Sequence, residues 1–273
     1  GFHVLLFITS VFCYGALEQW IERHAITYGI CVITFYFLSN QSYMSAIRQS
    51  VAVGFILWAL MAMEDLNGRK RYIVYALLIA FATLFHKTAV VALIFPFLMK
   101  REYTRNTTWL LMLITLVATL TNVVSSVISI LGLRTGYVTT EIGNAVNVGV
   151  VSLLYFALLL LRLICDNSSY IMDEGTADIE NTAYGDSFYT YCIALSLAVT
   201  VMSLRAAGMS RLNMYLQLVG LPYVSNIMRR IENQRVAFIV KVVFSMAIWG
   251  YSVIALIYRP EWQHIWPYHF YWQ

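Results

Sequence analysis

The run Tyr72 to Met99 is apolar except near its middle, and it is basic on both sides. Arg69, Lys70 and Arg71 precede it, and Lys100, Arg101 and Arg105 follow. As one helix it would be roughly 40 Å long, more than a hydrocarbon core of about 30 Å requires. Cationic flanks mark the cytoplasmic ends of membrane segments, so two such ends require the chain to enter and return. The run is therefore expected to be a hairpin with arms about 20 Å long and Leu84-Phe85-His86-Lys87-Thr88 at its tip. Irregular backbone is not tolerated against lipid, so this tip must face protein or water.

The rest of the chain agrees with a membrane reading. It is 60% hydrophobic and only 12% charged, where a soluble domain carries about a quarter charged residues. Long apolar stretches separated by short charged ones indicate an all-α, polytopic transmembrane helical bundle; a barrel would alternate at period two. Cys13, Cys31, Cys165 and Cys192 form no Cys-x-x-Cys pair and no metal-ligand spacing with a histidine, and read as small buried residues. The net charge of +4 comes from short clusters at span ends. That pattern suits topology and anionic membrane lipid rather than nucleic acid.

Taken in order, Phe2 to Leu17 is a first span bounded by Glu18, Glu22 and Arg23, followed by a short second at Ala25 to Phe37 and a third at Ala46 to Met63. The turn Glu64 to Arg71 carries three adjacent cations and is placed in the cytoplasm. The hairpin follows. Thr107 to Leu131 then goes out, Gly132 to Glu141 is an outer loop, and Val148 to Ile164 returns. Asp166 to Asp186 is a polar loop placed inside by parity. Phe188 to Leu204 goes out, Arg205 to Arg211 turns, Leu212 to Ile227 returns, and Val236 to Ile257 leaves an outer tail rich in Trp and Tyr. About nine to ten membrane segments are expected, in one domain over residues 1–273 that lacks an N-terminal part.

This topology gathers Arg48, His86, Lys87, Arg134, Arg205 and Arg211 on one side of the membrane. Cations there run against the positive-inside pattern, and an anionic ligand such as a phosphate or diphosphate would account for them, because guanidinium forks match its oxygens. Each has a plainer reading. Arg48 at a helix end can snorkel to headgroups, Arg134, Arg205 and Arg211 can be solvated, and His86 can be a hydrogen-bonded core residue. Glu141 is the one carboxylate placed in an outer loop between spans, a candidate base or cation partner. The sequence holds no P-loop, no Gly-x-Ser-x-Gly elbow and no His-Glu-x-x-His pair, so neither ATP hydrolysis nor zinc proteolysis is expected, and no metal or other cofactor.

Ile47-Arg48-Gln49 opening a span, the turn ending Arg69-Lys70-Arg71, and Ala80 to Ala89 with Pro96 after it together resemble the EpsG family. Ser210-Arg211-Leu212 with Tyr215 and Pro222, and Trp266-Pro267-Tyr268, add looser matches. These are the Wzy-type polymerases of bacterial exopolysaccharide, capsule and O-antigen synthesis. The resemblance implies a GT-C-like, metal-independent glycosyltransferase of the bacterial inner membrane, with its active site facing the exterior. It would move a growing glycan from undecaprenyl diphosphate to the non-reducing end of a lipid-linked repeat unit, and such enzymes work beside a chain-length regulator. The family's Arg-Gln pair matches Arg48 and Gln49, its Phe-His pair matches Phe85 and His86, and its later arginine matches Arg211.

On that resemblance Arg48, His86 and Arg211 are the expected catalytic residues. Gln49, Lys87, Arg134, Arg205, Tyr215 and Glu141 are expected to bind substrate. Three other readings stay open from sequence. An O-antigen ligase would share the donor and the cation cavity. A transporter of a lipid-linked oligosaccharide would line a path with its cations, and a non-catalytic assembly subunit would use them for stability alone.

Overall fold

A computed structural model describes residues 2–121, 142–167, 185–204, 209–231 and 233–258. Among them the chain is helical, with no strand. The expected loop Gly132 to Glu141, most of the acidic loop, the turn at 205–208 and the tail from Arg259 lie outside the described residues.

Helix α1 covers Phe2–His24. It runs past Leu17, where the sequence reading ended the first span, because one face of its polar half is packed inside. Trp20 is fully buried and donates from Nε1 to the Val219 carbonyl at 3.1 Å, while Glu18 and Glu22 stay exposed on the other face. A side chain of that size contributes about 1.5–3 kcal/mol by burial. The second segment is a broken helix: α2 (Tyr28–Thr34), a π-helical turn (Phe35–Ser39) and α3 (Asn40–Ser45). Tyr14 donates to Asn40 Oδ1 at 2.6 Å and Tyr43 donates to the Cys13 carbonyl at 3.0 Å, which ties the break to the middle of α1.

Helix α4 (Ile47–Asp65), the most enclosed of the helices long and apolar enough to cross a membrane, packs against α1 and α5 (Arg69–Phe85). The turn between them needs Gly68 at φ 66°, a left-handed conformation that favours a residue without Cβ. After α5 the chain reverses at His86, whose φ of −148° breaks the helix, into a 3₁₀-helix (Lys87–Ile94) and a single turn α6 (Phe95–Leu98). The two arms lie together, with the Tyr75 hydroxyl donating to the Ala92 carbonyl at 2.5 Å. This is the hairpin geometry that the double basic flank requires.

Then come α7 (Arg105–Leu120), α8 (Ile142–Asn167) and α9 (Gly185–Met202). The stretch expected as one returning span is instead two helices, α10 (Met209–Val219) and α11 (Pro222–Arg229). Pro222 cannot continue α10, and Gly220 sits so close to α9 that a Cβ there would lie 2.9 Å from Cys192 Cβ. Helix α12 (Gln234–Tyr258) closes the described chain, with Phe238, Ile239, Val243, Met246 and Trp249 exposed, as suits a lipid-facing helix.

By length and composition five stretches among the described residues can cross a membrane: His3–His24, Ile47–Asp65, Val148–Cys165, Gly185–Met202 and Gln234–Ala255. Tyr28–Ser39, Lys87–Leu98 and Arg105–Leu120 are shorter apolar helices.

Candidate functional site

The hairpin tip, the start of α4 and the start of α10 pack against one another. Phe85 and Phe81 stack on Phe55 of α4, with ring centroids 5.6 and 6.2 Å apart, and Ala82 and Ala89 on either side of the tip are fully buried. These contacts hold His86 at the reversal, with its backbone N–H bonded to the Ala82 carbonyl at 3.0 Å and its own carbonyl accepting from the Ala89 N–H at 2.9 Å.

Around His86 the side chains form a small polar triangle. Its Nδ1 lies 2.7 Å from the Thr88 hydroxyl and 2.9 Å from the Tyr215 hydroxyl, and those two hydroxyls are 3.2 Å apart. Tyr215 is fully buried on the second turn of α10, one turn after Arg211. The Gln49 amide donates to the Arg211 carbonyl at 2.5 Å, bolting the start of α4 to the start of α10. Gln49 is itself buried, so in this geometry it positions Arg211 while Arg48, its neighbour, is exposed.

The ring of His86 sits in the break between apolar helices. Its pKa is held below the ordinary imidazole value, first by desolvation and then by the positive charges of Arg211 and Arg48. Both arginines therefore act on the same imidazole. Lys87 is exposed beside it as the first residue of the 3₁₀-helix. Neither Arg48 nor Lys87 makes an ion pair among the described residues.

Each of these cations begins a helix. Arg48 is second in α4, Lys87 first in the 3₁₀-helix and Arg211 third in α10. Helix starts carry unsatisfied backbone N–H groups and the positive end of the dipole, which disfavour a cation and favour an anion. Three helix starts, each bearing a cation, therefore come together around His86, an arrangement suited to an anion.

Of the sequence candidates, Arg48, Gln49, His86, Lys87, Arg211 and Tyr215 thus lie at one site. Arg134, Glu141 and Arg205 fall outside the described residues. Thr88 joins the site as a hydrogen-bond partner that sequence reading left inside a motif without a role. A second charged cluster lies apart from these residues and has no counterpart among the sequence candidates. Arg162, inside the apolar run of α8, donates to Asp186 and Thr190, and Arg230 donates to the same Asp186 oxygen at 2.9 Å. A cation within an apolar run is the signal that could have found it. Among the described residues no group of three or more His, Cys, Asp or Glu is placed to hold a metal ion.

Residues 1–270 match the model of the EpsG family. No curated protein and no solved structure matches the chain.

Proposed function

The chain belongs to the EpsG family, the family of Wzy-type polysaccharide polymerases, and on that footing we propose that the His86 site performs the glycosyl transfer. The substrate is a glycan carried on undecaprenyl diphosphate. This growing glycan is transferred to a non-reducing sugar hydroxyl of an incoming lipid-linked repeat unit on the outer face of the bacterial inner membrane. Nine to ten membrane segments in a GT-C-like arrangement, working without a metal and beside a chain-length regulator, belong to the same reading. The observation that carries it is the meeting of three helix starts, bearing Arg48, Lys87 and Arg211, around one imidazole.

In the reaction, the acceptor hydroxyl oxygen bonds to the anomeric carbon while the bond from that carbon to the diphosphate breaks. The electron pair leaves with the diphosphate, and Arg48 and Arg211 stabilise the charge it gains. Preorganised cations in a site of low dielectric are worth more than in water, which is how they replace a divalent metal. The lowered pKa keeps His86 neutral near pH 7. With Nδ1–H donating to Thr88 or Tyr215, Nε2 is left to accept the proton of the acceptor hydroxyl. Lys87, Arg134, Arg205 and Glu141 belong to this reading as residues that bind the lipid-linked substrate.

Surface glycan run on a gel tests this directly, comparing the intact gene, a deletion, and the deletion complemented with Arg48→Ala at normal expression. A ladder that collapses to single repeat units in both mutants is expected. A full ladder from Arg48→Ala rejects the site, and complete repeats trapped on the carrier inside the cell would point to transport instead.

A further inference from the structure

Helix α10 has a second polar face. Arg211 and Tyr215 look toward His86, while Ser210, Asn213 and Gln217 line a cavity of about 140 Å³ on the opposite side. Ser39 from the π-helical turn and Thr200 and Ser203 from the end of α9 complete its polar lining. All six are neutral hydroxyls and amides, set among apolar side chains, and none could balance a phosphate.

Thr200 shows that this lining is not merely self-satisfied. A threonine inside a helix ordinarily turns its hydroxyl back to the carbonyl four residues earlier. Thr34, Thr115, Thr119 and Thr190 do so here, at 2.7 to 2.8 Å. Thr200 is 6% exposed, yet its hydroxyl has no hydrogen-bond partner among the described residues, although its carbonyl accepts from Ser203 Oγ at 2.6 Å. A buried hydroxyl without a partner is costly, so a ligand that bonds to it recovers that cost. Across the cavity, Gln217 donates to Ser39 Oγ, which fixes the wall on that side.

We propose that this cavity is a subsite for one neutral sugar ring of the lipid-linked repeat unit, with α10 as the wall it shares with the diphosphate site. This rests on the reading of Arg48, His86 and Arg211 given above. Hydroxyls that both donate and accept suit a polyol, and apolar neighbours suit the C–H face of its ring. Ligand pockets for larger molecules run to about 300–1,000 Å³, so a void of 140 Å³ takes a single ring and not a chain segment. Placement on the same helix as Arg211 lets one element sense both the sugar and the leaving group.

The test compares two probes on the full-length protein in lipid nanodiscs: sugar-free undecaprenyl diphosphate, and the lipid-linked repeat unit extracted from a polymerase-deletion strain. Thr200→Val keeps the shape and removes the hydroxyl. It is expected to weaken repeat-unit binding about fivefold and to leave the sugar-free lipid unchanged, with Thr200→Ser restoring the loss. Equal weakening of both probes, or of neither, overturns the subsite. Arg48→Gln, measured alongside, weakens both probes under the diphosphate reading. If it weakens neither, that reading fails, while the Thr200 comparison still decides the sugar subsite on its own.

Discussion

At the end of the bundle where α1 and α4 finish, Arg23 meets Asp65 at 3.0 Å and His24 Nε2 lies 3.3 Å from Glu64 Oε1. The same end holds the Arg162, Asp186 and Arg230 cluster, joined to it through Asn226, which donates to the His24 carbonyl at 3.1 Å. At the opposite end Arg48, Lys87 and Arg211 collect around an imidazole. The partners differ. Arg23, in the last turn of α1 where the dipole favours a cation, has Asp65 beside it, and Arg162 and Arg230 have Asp186. Arg48, Lys87 and Arg211 stand in first turns, where the dipole opposes a cation. Charges read as serving the fold lie beside a carboxylate, Arg23 beside Asp65 and both Arg162 and Arg230 beside Asp186. Those read as serving a ligand gather around a histidine instead.

The largest expected effect comes from breaking the first kind. Asp186→Ala removes the carboxylate shared by the largely buried Arg162 and the part-buried Arg230, and should cost about 3 kcal/mol of stability, read as a drop in unfolding temperature in detergent. Glycan output should fall only as far as the amount of folded protein falls. Arg48→Ala should do the reverse. Polymerisation drops about 10²- to 10³-fold, the range for losing one preorganised charge contact, while the unfolding temperature holds. If both variants lower stability equally, the contrast between the two ends is lost.

Smaller effects sharpen it. Tyr215→Phe keeps the buried ring and removes one hydrogen bond to His86, worth about 1 kcal/mol or roughly fivefold in turnover. The His86 imidazole titrates below the ordinary value of about 6.5. Its neutral form therefore predominates at neutral pH and is lost as pH falls through that lowered value. Labelling with diethyl pyrocarbonate, which reacts with the neutral ring, should persist to lower pH at His86 than at a free imidazole. Arg48→Gln should move the midpoint up, since one of the charges that depress it is gone. Least of all, Arg23→Gln removes a partly exposed pair and should cost no more than about 1 kcal/mol, with no change in glycan length.

Much of the His86 site could be read from the chain, because local signals carry it. A guanidinium at the head of an apolar run, two basic flanks around a run too long for one crossing, and a His-Lys pair at its middle each point to one place. The Asp186 cluster could not be assembled that way. Asp186 reads as the edge of a polar loop and Arg162 as a lone charge, and only packing of α8 on α9 joins them. Helix ends were missed for a related reason: Glu18 and Glu22 suggest a boundary, yet Trp20 and Ile21 between them are core. The split of α10 from α11 was written in Gly220 and Pro222, whose apolar neighbours hid it.

The most direct test is the affinity of sugar-free undecaprenyl diphosphate for the purified protein in nanodiscs, measured for the native chain, Arg48→Gln and Arg23→Gln. Arg48→Gln is expected to bind at least about tenfold more weakly, the scale of one charge-assisted contact, and Arg23→Gln as tightly as the native chain. Equal affinity in all three, or equal loss in both variants, would contradict this account.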